Sequence, residues 1–164
     1  MTRQPALGVR RIVATVAAAL AIAMGATALA QKIVITPSTA RATIRGPAQA
    51  YTGAAIADTL IAPNDSSRVM AVTVTFEPGA RTAWHNHPAG QYLIVTSGIG
   101  WVQERGGTKR EIHAGDVVFT PPGVAHWHGA APTSAMSHLA VWEFVGGSGG
   151  ELMEHVSDAE YLAE

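Results

Sequence analysis

Glu77-Pro78-Gly79-Ala80-Arg81-Thr82-Ala83-Trp84-His85-Asn86-His87-Pro88-Ala89-Gly90-Gln91 is the stretch on which the fold turns. Glu77-Pro78-Gly79 and Pro88-Ala89-Gly90 are turn chemistry, and between them Arg81 to His87 reads as a strand. Upstream, Val69 to Phe76 alternates with period two, placing Val72, Val74 and Phe76 on one face and Thr73 and Thr75 on the other. Downstream, Gln91 to Thr96 is β-branched and apolar and is expected to end at Ser97-Gly98. Trp101–Arg105 and Lys109–Ile112 flank Gly106-Gly107, a hairpin signal. Val117–Thr120, Val124–His128 and Ser137–Val145 follow, each behind a break rich in Gly, Pro or Ala. Short strands at regular spacing, with no sustained 3.6-residue pattern between them, predict an all-β, antiparallel sandwich or barrel.

The flanks are less regular. Thr39–Ile44 and Gln49–Ile56 are candidate edge strands, and Ala62–Ser67 is a loop. Gly146–Gly150 reads as a flexible link to a tail, 151–164, that would form a strand at Glu151–Val156 and a short helix capped by Ser157 with Glu160. The first thirty residues carry Arg3, Arg10 and Arg11, then an uncharged Ala-rich run closing on Ala28-Leu29-Ala30. A basic start, an apolar stretch and a small-x-small exit describe a secretory signal peptide, 1–30. An uncleaved anchor and a twin-arginine signal are the alternatives. Residues 31–164 are then a single domain with its barrel core at 69–145, exported to the periplasm or beyond and needing no membrane after cleavage.

Composition removes whole classes of function. The chain of 164 residues is 48% hydrophobic and 14% charged with a net charge of −1, so no patch of charge invites nucleic acid. Loss of the three leader arginines leaves 8 basic against 12 acidic residues, −4. Without cysteine there is no disulfide, thiolate site, iron–sulfur cluster or Cys nucleophile. The seven histidines stand out. His85 and His87 are two apart on one expected strand, so their imidazoles share a face, and His126 and His128 repeat that spacing. A lone His-x-His is more often a surface pair. Two such pairs beside turns, with Gln91 folded back next to the first, form a donor set for a metal ion. His113 is expected to be exposed, His155 structural or interfacial, and Trp84, Trp101 and Trp127 to pack sheets or a subunit interface.

These motifs resemble the cupins. Gly79, five residues, His85-x-His87, three residues, Gln91, six residues, Gly98 follows the first cupin motif with Glu replaced by Gln; Gly115, five residues, Pro121-x-Gly123, two residues, His126 follows the second, whose final Asn is Ala130 here. Thr75 to His85, His126 to Pro132 and Met153 to Val156 are more narrowly similar to bacterial manganese-dependent cupin hydroxynitrile lyases. The resemblance implies a jelly-roll-like barrel binding one divalent ion through His85, His87, Gln91 and His126. Mn2+ comes first, with Fe2+, Zn2+ and Ni2+ as alternatives. It also implies His138 as general base, His128 as a second pocket histidine, Val72 and Val74 as pocket lining, and a small-molecule substrate. One position departs: Trp142 stands where those lyases carry a pocket Gln, on the same strand face as His138. A cyanohydrin lyase is the implied activity. Another metal-dependent cupin enzyme (dioxygenase, isomerase or decarboxylase) and a non-catalytic ligand-binding cupin are the alternatives. A homodimer or homotetramer is expected.

Overall fold

The computed structural model describes residues 32–163. Ile35 onward forms one compact unit; Lys32–Val34 are grouped apart from it and are exposed. The leader expected at 1–30 lies outside the described residues. A 3-10 turn at Ser38–Ala40 precedes twelve strands: β1 (Ile44–Arg45), β2 (Tyr51–Thr52), β3 (Ala55–Ile61), β4 (Val69–Phe76), β5 (Arg81–Thr82), β6 (His85–Asn86), β7 (Gln91–Glu104), β8 (Arg110–His113), β9 (Val117–Thr120), β10 (His126–Ala130), β11 (Met136–Glu143) and β12 (Glu151–Leu152). A helix, α1 (Asp158–Leu162), closes the chain.

All pairings are antiparallel, as expected, and they curl into a barrel around β7. The first half of β7 pairs with β11 and β9, and its second half with β10 and β8. One strand thus belongs to both walls. The sequence reading stopped this strand at Ser97-Gly98, but it runs on to Glu104. Gly98 bends the strand rather than ending it: its φ is +75°, and a Cβ there would sit 1.8 Å from the Ala135 carbonyl oxygen. The ladder with β11 slips at the same level, between Ser137 and His138. Only glycine combines a left-handed backbone with that close approach.

The strand expected over Arg81–His87 divides into β5 and β6 because its partners change. Thr82 pairs with Tyr51 of β2, whereas His85 pairs with Leu152 of β12 and His126 of β10. Between them the Trp84 amide donates to Glu154 O, and the Met153 amide donates to Trp84 O. The tail strand is shorter than expected, and Gly146–Gly150 is an ordered turn, in which Val145 and Ser148 exchange backbone hydrogen bonds of 2.9 and 3.0 Å. The Ser157 cap is as read: Ser157 Oγ accepts from the Glu160 amide while the Glu160 carboxylate accepts from the Ser157 amide.

Two apolar clusters hold the molecule. Phe76, Val95, Val102 and Met136 fill the barrel, their burial following the period-two pattern. Trp84, Trp127, Val156 and Tyr161 pack outside it, with Trp101 against them, so these tryptophans serve packing. Tyr161 anchors the tail by donating to Ala130 O at 2.7 Å under the Arg81 guanidinium, which also reaches Asp158 at 2.6 Å and Val156 O. Replacing Gly98 with alanine combines backbone strain with a backbone clash and is expected to cost at least about 2 kcal/mol of stability. A urea unfolding midpoint unchanged from wild type would refute this account of the bend.

Candidate functional site

β6, β7 and β10 deliver side chains to one end of the barrel. His85 sits on β6, His87 just beyond it, Gln91 opens β7, and His126 and His128 alternate on β10. The register His126↔His85 brings two of them face to face, with ring centroids 4.3 Å apart. His87 lies 5.2 Å from His85 and 5.9 Å from His126 by the same measure. The structure therefore gathers all four residues that the resemblance implied as ligands. Among the described residues, His85, His126 and His128 form a three-residue group that could hold a metal ion, with one ring nitrogen of each within 4.8 Å of the others. His87 stands slightly back, at the end of a hydrogen bond to the Gly146–Gly150 turn.

The tautomers follow from the partners. A carbonyl oxygen only accepts, so each ring nitrogen facing one must carry the proton. His85 Nδ1 donates to Ala83 O at 2.9 Å, His87 Nδ1 to Gly149 O at 2.6 Å, and His126 Nδ1 to Val124 O at 3.0 Å. In each neutral ring Nε2 then bears a lone pair. His87 Nε2 is buried with no hydrogen-bond partner. His126 Nε2 faces Gln91 Oε1 at 2.9 Å. Two acceptors at that distance repel, so either the Gln91 amide turns its NH2 towards the ring or a cation lies between them, and the lone pairs gathered here fit a metal ion. The imidazoles do not supply the charge themselves. Burial pushes His126 down to about 4 and, with the neighbouring His126, pushes His85 down to about 3. Burial lowers His87 as well.

A second pair adjoins this cluster. His128 Nδ1 and His138 Nε2 are 3.1 Å apart, both rings are buried, and Phe76 lies against each of them. Their outer nitrogens, His128 Nε2 and His138 Nδ1, have no partner. Burial, then the His138 ring, takes His128 well below the ordinary histidine value; burial takes His138 down to about 4. Both are neutral proton acceptors at neutral pH.

Above these groups opens a cavity of about 480 Å³. His85, His87, Gln91, His128 and His138 line it, together with the expected Val72, Val74 and Trp142. The Trp142 ring leans on His87 at 4.9 Å. Tyr51, Leu152 and Gly149 also contribute walls. Sequence reasoning missed these three: they come from the irregular flanks, where no periodicity marks an inward face. His113 is exposed and pairs with Glu111 at 3.1 Å, and His155 is exposed and faces Thr52 at 3.1 Å. Neither belongs to the site.

Comparison with known proteins places these features in context. The cupin domain family matches residues 72–142. Over 117 residues the chain is 56% identical to an (R)-mandelonitrile lyase of Granulicella tundricola, covering 71% of this chain and 89% of that protein. The crystal structure of a cupin-like protein from Thermotoga maritima superposes with a TM-score of 0.69 at 42% identity, over 71% of this chain and 89% of that one. The polyketide cyclase RemF of Streptomyces resistomycificus shares the fold, with a TM-score of 0.60 at 18% identity over 79% and 91% of the two chains.

The buried imidazoles set the acid stability of the metal-free protein. Their folded values lie below the 6.5 of a free histidine, so below that value the unfolded chain binds more protons. Their contribution is complete above about pH 6.5 and is lost as the pH falls towards 4. The denaturation midpoint should fall through this interval, and a flat profile would contradict the neutral-imidazole assignment.

Proposed function

We propose that this chain, which belongs to the cupin family, is a metal-dependent lyase that interconverts a cyanohydrin with a carbonyl compound and cyanide. The observation that carries the reading is the division of the pocket into two chemistries. On one side lie imidazole lone pairs and an amide oxygen, with His87 Nε2 buried and without a partner, a set that fits a cation. On the other lies a buried imidazole pair held neutral. The mandelonitrile lyase relative, 56% identical, supplies the reaction class, and Val72, Val74 and Trp142 give an apolar wall suited to an aromatic substituent.

His85, His87, His126 and Gln91 would hold the ion. His128 belongs on the base side because its Nδ1 is engaged with His138 rather than with a backbone carbonyl. An ion bound there supplies Lewis acidity towards a substrate hydroxyl, strengthened because Gln91 contributes no negative charge. Three imidazoles and an amide oxygen would also accept Fe2+, Zn2+ or Ni2+; the resemblance to manganese-dependent lyases puts Mn2+ first. In cleavage, the hydroxyl proton passes to the His128–His138 pair, with His138 as the base that takes up its charge and His128 next to the reacting oxygen. The O–H electrons become the second bond of the carbonyl, the C–CN bond breaks, and its electron pair leaves with cyanide. The reverse path returns the proton from the pair to the new hydroxyl. The low proton affinity of these buried rings keeps them ready to accept at neutral pH and makes return of the proton favourable.

Export through the 1–30 leader, to the periplasm or out of the cell, ahead of a single 31–164 domain, completes the reading. So does a homodimer or homotetramer, supported by the apolar outer face that Ile56, Tyr92, Val117 and Phe119 expose.

Purified protein should contain one Mn2+ per chain and release cyanide from mandelonitrile. His85→Ala, His87→Ala and His126→Ala should each lose metal, whereas His128→Ala should keep it; loss of metal from His128→Ala with retention in His87→Ala would exchange their roles. His138→Ala should keep the metal and lose at least about 100-fold in kcat/KM, the scale of a general base. Cyanide release at the wild-type rate by that variant would remove His138 from the mechanism. Absence of cyanide release from wild type, together with oxygen uptake on phenolic substrates, would favour an oxygenase instead.

A further inference from the structure

The Gly146–Gly150 turn does more than connect β11 to β12. We infer that it is a strap that sets His87 for metal binding, with the Gly149 carbonyl as the positioning group; the inference rests on His87 being a ligand, as proposed above.

His85 and His126 each donate Nδ1–H to a carbonyl two residues upstream, Ala83 and Val124. Those acceptors travel with the strand that carries the histidine. His87 differs. Its acceptor is 62 residues away in sequence and makes the shortest of the three bonds, 2.6 Å. Lying beyond the end of β6, His87 has no carbonyl of its own segment on its ring, so the strap alone fixes its tautomer and aims Nε2 inward.

The strap is itself held tightly. Val145 and Ser148 close it with their reciprocal backbone bonds, and Glu151↔Asn86 clamps its far end to the strand beside His87. Its last two glycines are in close contact with their surroundings. A Cβ on Gly150, whose φ is +149°, would lie 2.2 Å from Asn86 O and 3.0 Å from His87 Nδ1. A Cβ on Gly149 would lie 2.7 Å from the Phe144 ring and 3.0 Å from Trp142 Nε1. Trp142 in turn packs on the His87 ring. His87 is therefore gripped between Trp142 and a carbonyl that reaches it only because position 149 has no side chain. Trp142, which departs from the pattern of similar lyases, becomes part of this support as well as a wall of the pocket.

Gly149→Ala drives a Cβ into the Phe144 ring and against Trp142 Nε1, and so is expected to shift the strap or the Trp142 ring off His87, loosening its bond to Gly149 O and its tautomer. Groups that orient a ligand from outside typically change metal affinity by about 10- to 100-fold when lost. The experiment measures Mn2+ affinity by chelator competition, without substrate, in wild type, Gly149→Ala, His87→Ala and the double variant. Gly149→Ala should bind about 10- to 100-fold more weakly than wild type, and the double variant should bind no more weakly than His87→Ala alone. Equal losses in both backgrounds, or no loss in either, would overturn the strap. Nitrogen-15 spectra of the metal-free protein at neutral pH give an independent readout. His87 should be protonated at Nδ1 in wild type and should lose that preference in Gly149→Ala; an Nε2-protonated wild type would overturn the inference even if Gly149→Ala proved too unstable to study. If His87→Ala bound Mn2+ as tightly as wild type, the ligand assignment would fail, while the tautomer would still decide whether the strap orients His87.

Discussion

The chemistry of this barrel depends on what three backbone carbonyls do to three imidazoles. The carbonyls of Ala83, Gly149 and Val124 each accept a hydrogen bond from the Nδ1–H of a histidine, leaving the opposite nitrogen with a lone pair. Burial then forbids protonation as a way out, since a charged ring would lose its hydration without gaining an anion. Ring lone pairs accumulate in a region where the Gln91 amide is the main neutral group able to answer them. Such a cluster is costly unless a cation joins it, so the same bonds that orient the rings also define what can bind.

β7 makes this arrangement possible. By joining both walls it fixes Gln91 opposite Trp142 and Glu104 opposite His126 within one continuous strand. Its bend at Gly98 lets the second half wrap towards β10 while the first half stays with β11. His128 on β10 and His138 on β11 thereby line one cavity, although ten residues and a turn separate them in the chain. The Phe76 ring lies against both of these imidazoles and keeps solvent from the pair, which leaves their mutual hydrogen bond as their main polar contact.

Much of this was legible in the residues. Alternation in Val69–Phe76 gave the correct inner face because burial of one side is a local property of a strand. The Ser157–Glu160 cap was equally local. The spacing of His85, His87 and Gln91 implied convergence because a tight turn leaves little freedom between its ends. What could not be read was long-range. Nothing near Ser97-Gly98 says whether a glycine breaks a strand or bends it; that depends on the Ala135 carbonyl pressing from a neighbouring segment. Likewise Gly146–Gly150 looks like a linker because its role resides in a backbone oxygen, which no side chain advertises. The standing of His87 and His128 relative to one another was hidden for the same reason, since each is placed by a partner distant in the chain.

The lateness of the strap in the chain has a consequence for biosynthesis. Gly149 and β12 follow every candidate ligand in the chain, so a ribosome-bound chain carries all of those ligands before it can clamp His87. The candidate site therefore matures only once the strap after β11 has been made, and a protein clipped between β11 and Gly149 would retain every candidate ligand yet lack the oxygen that aims His87.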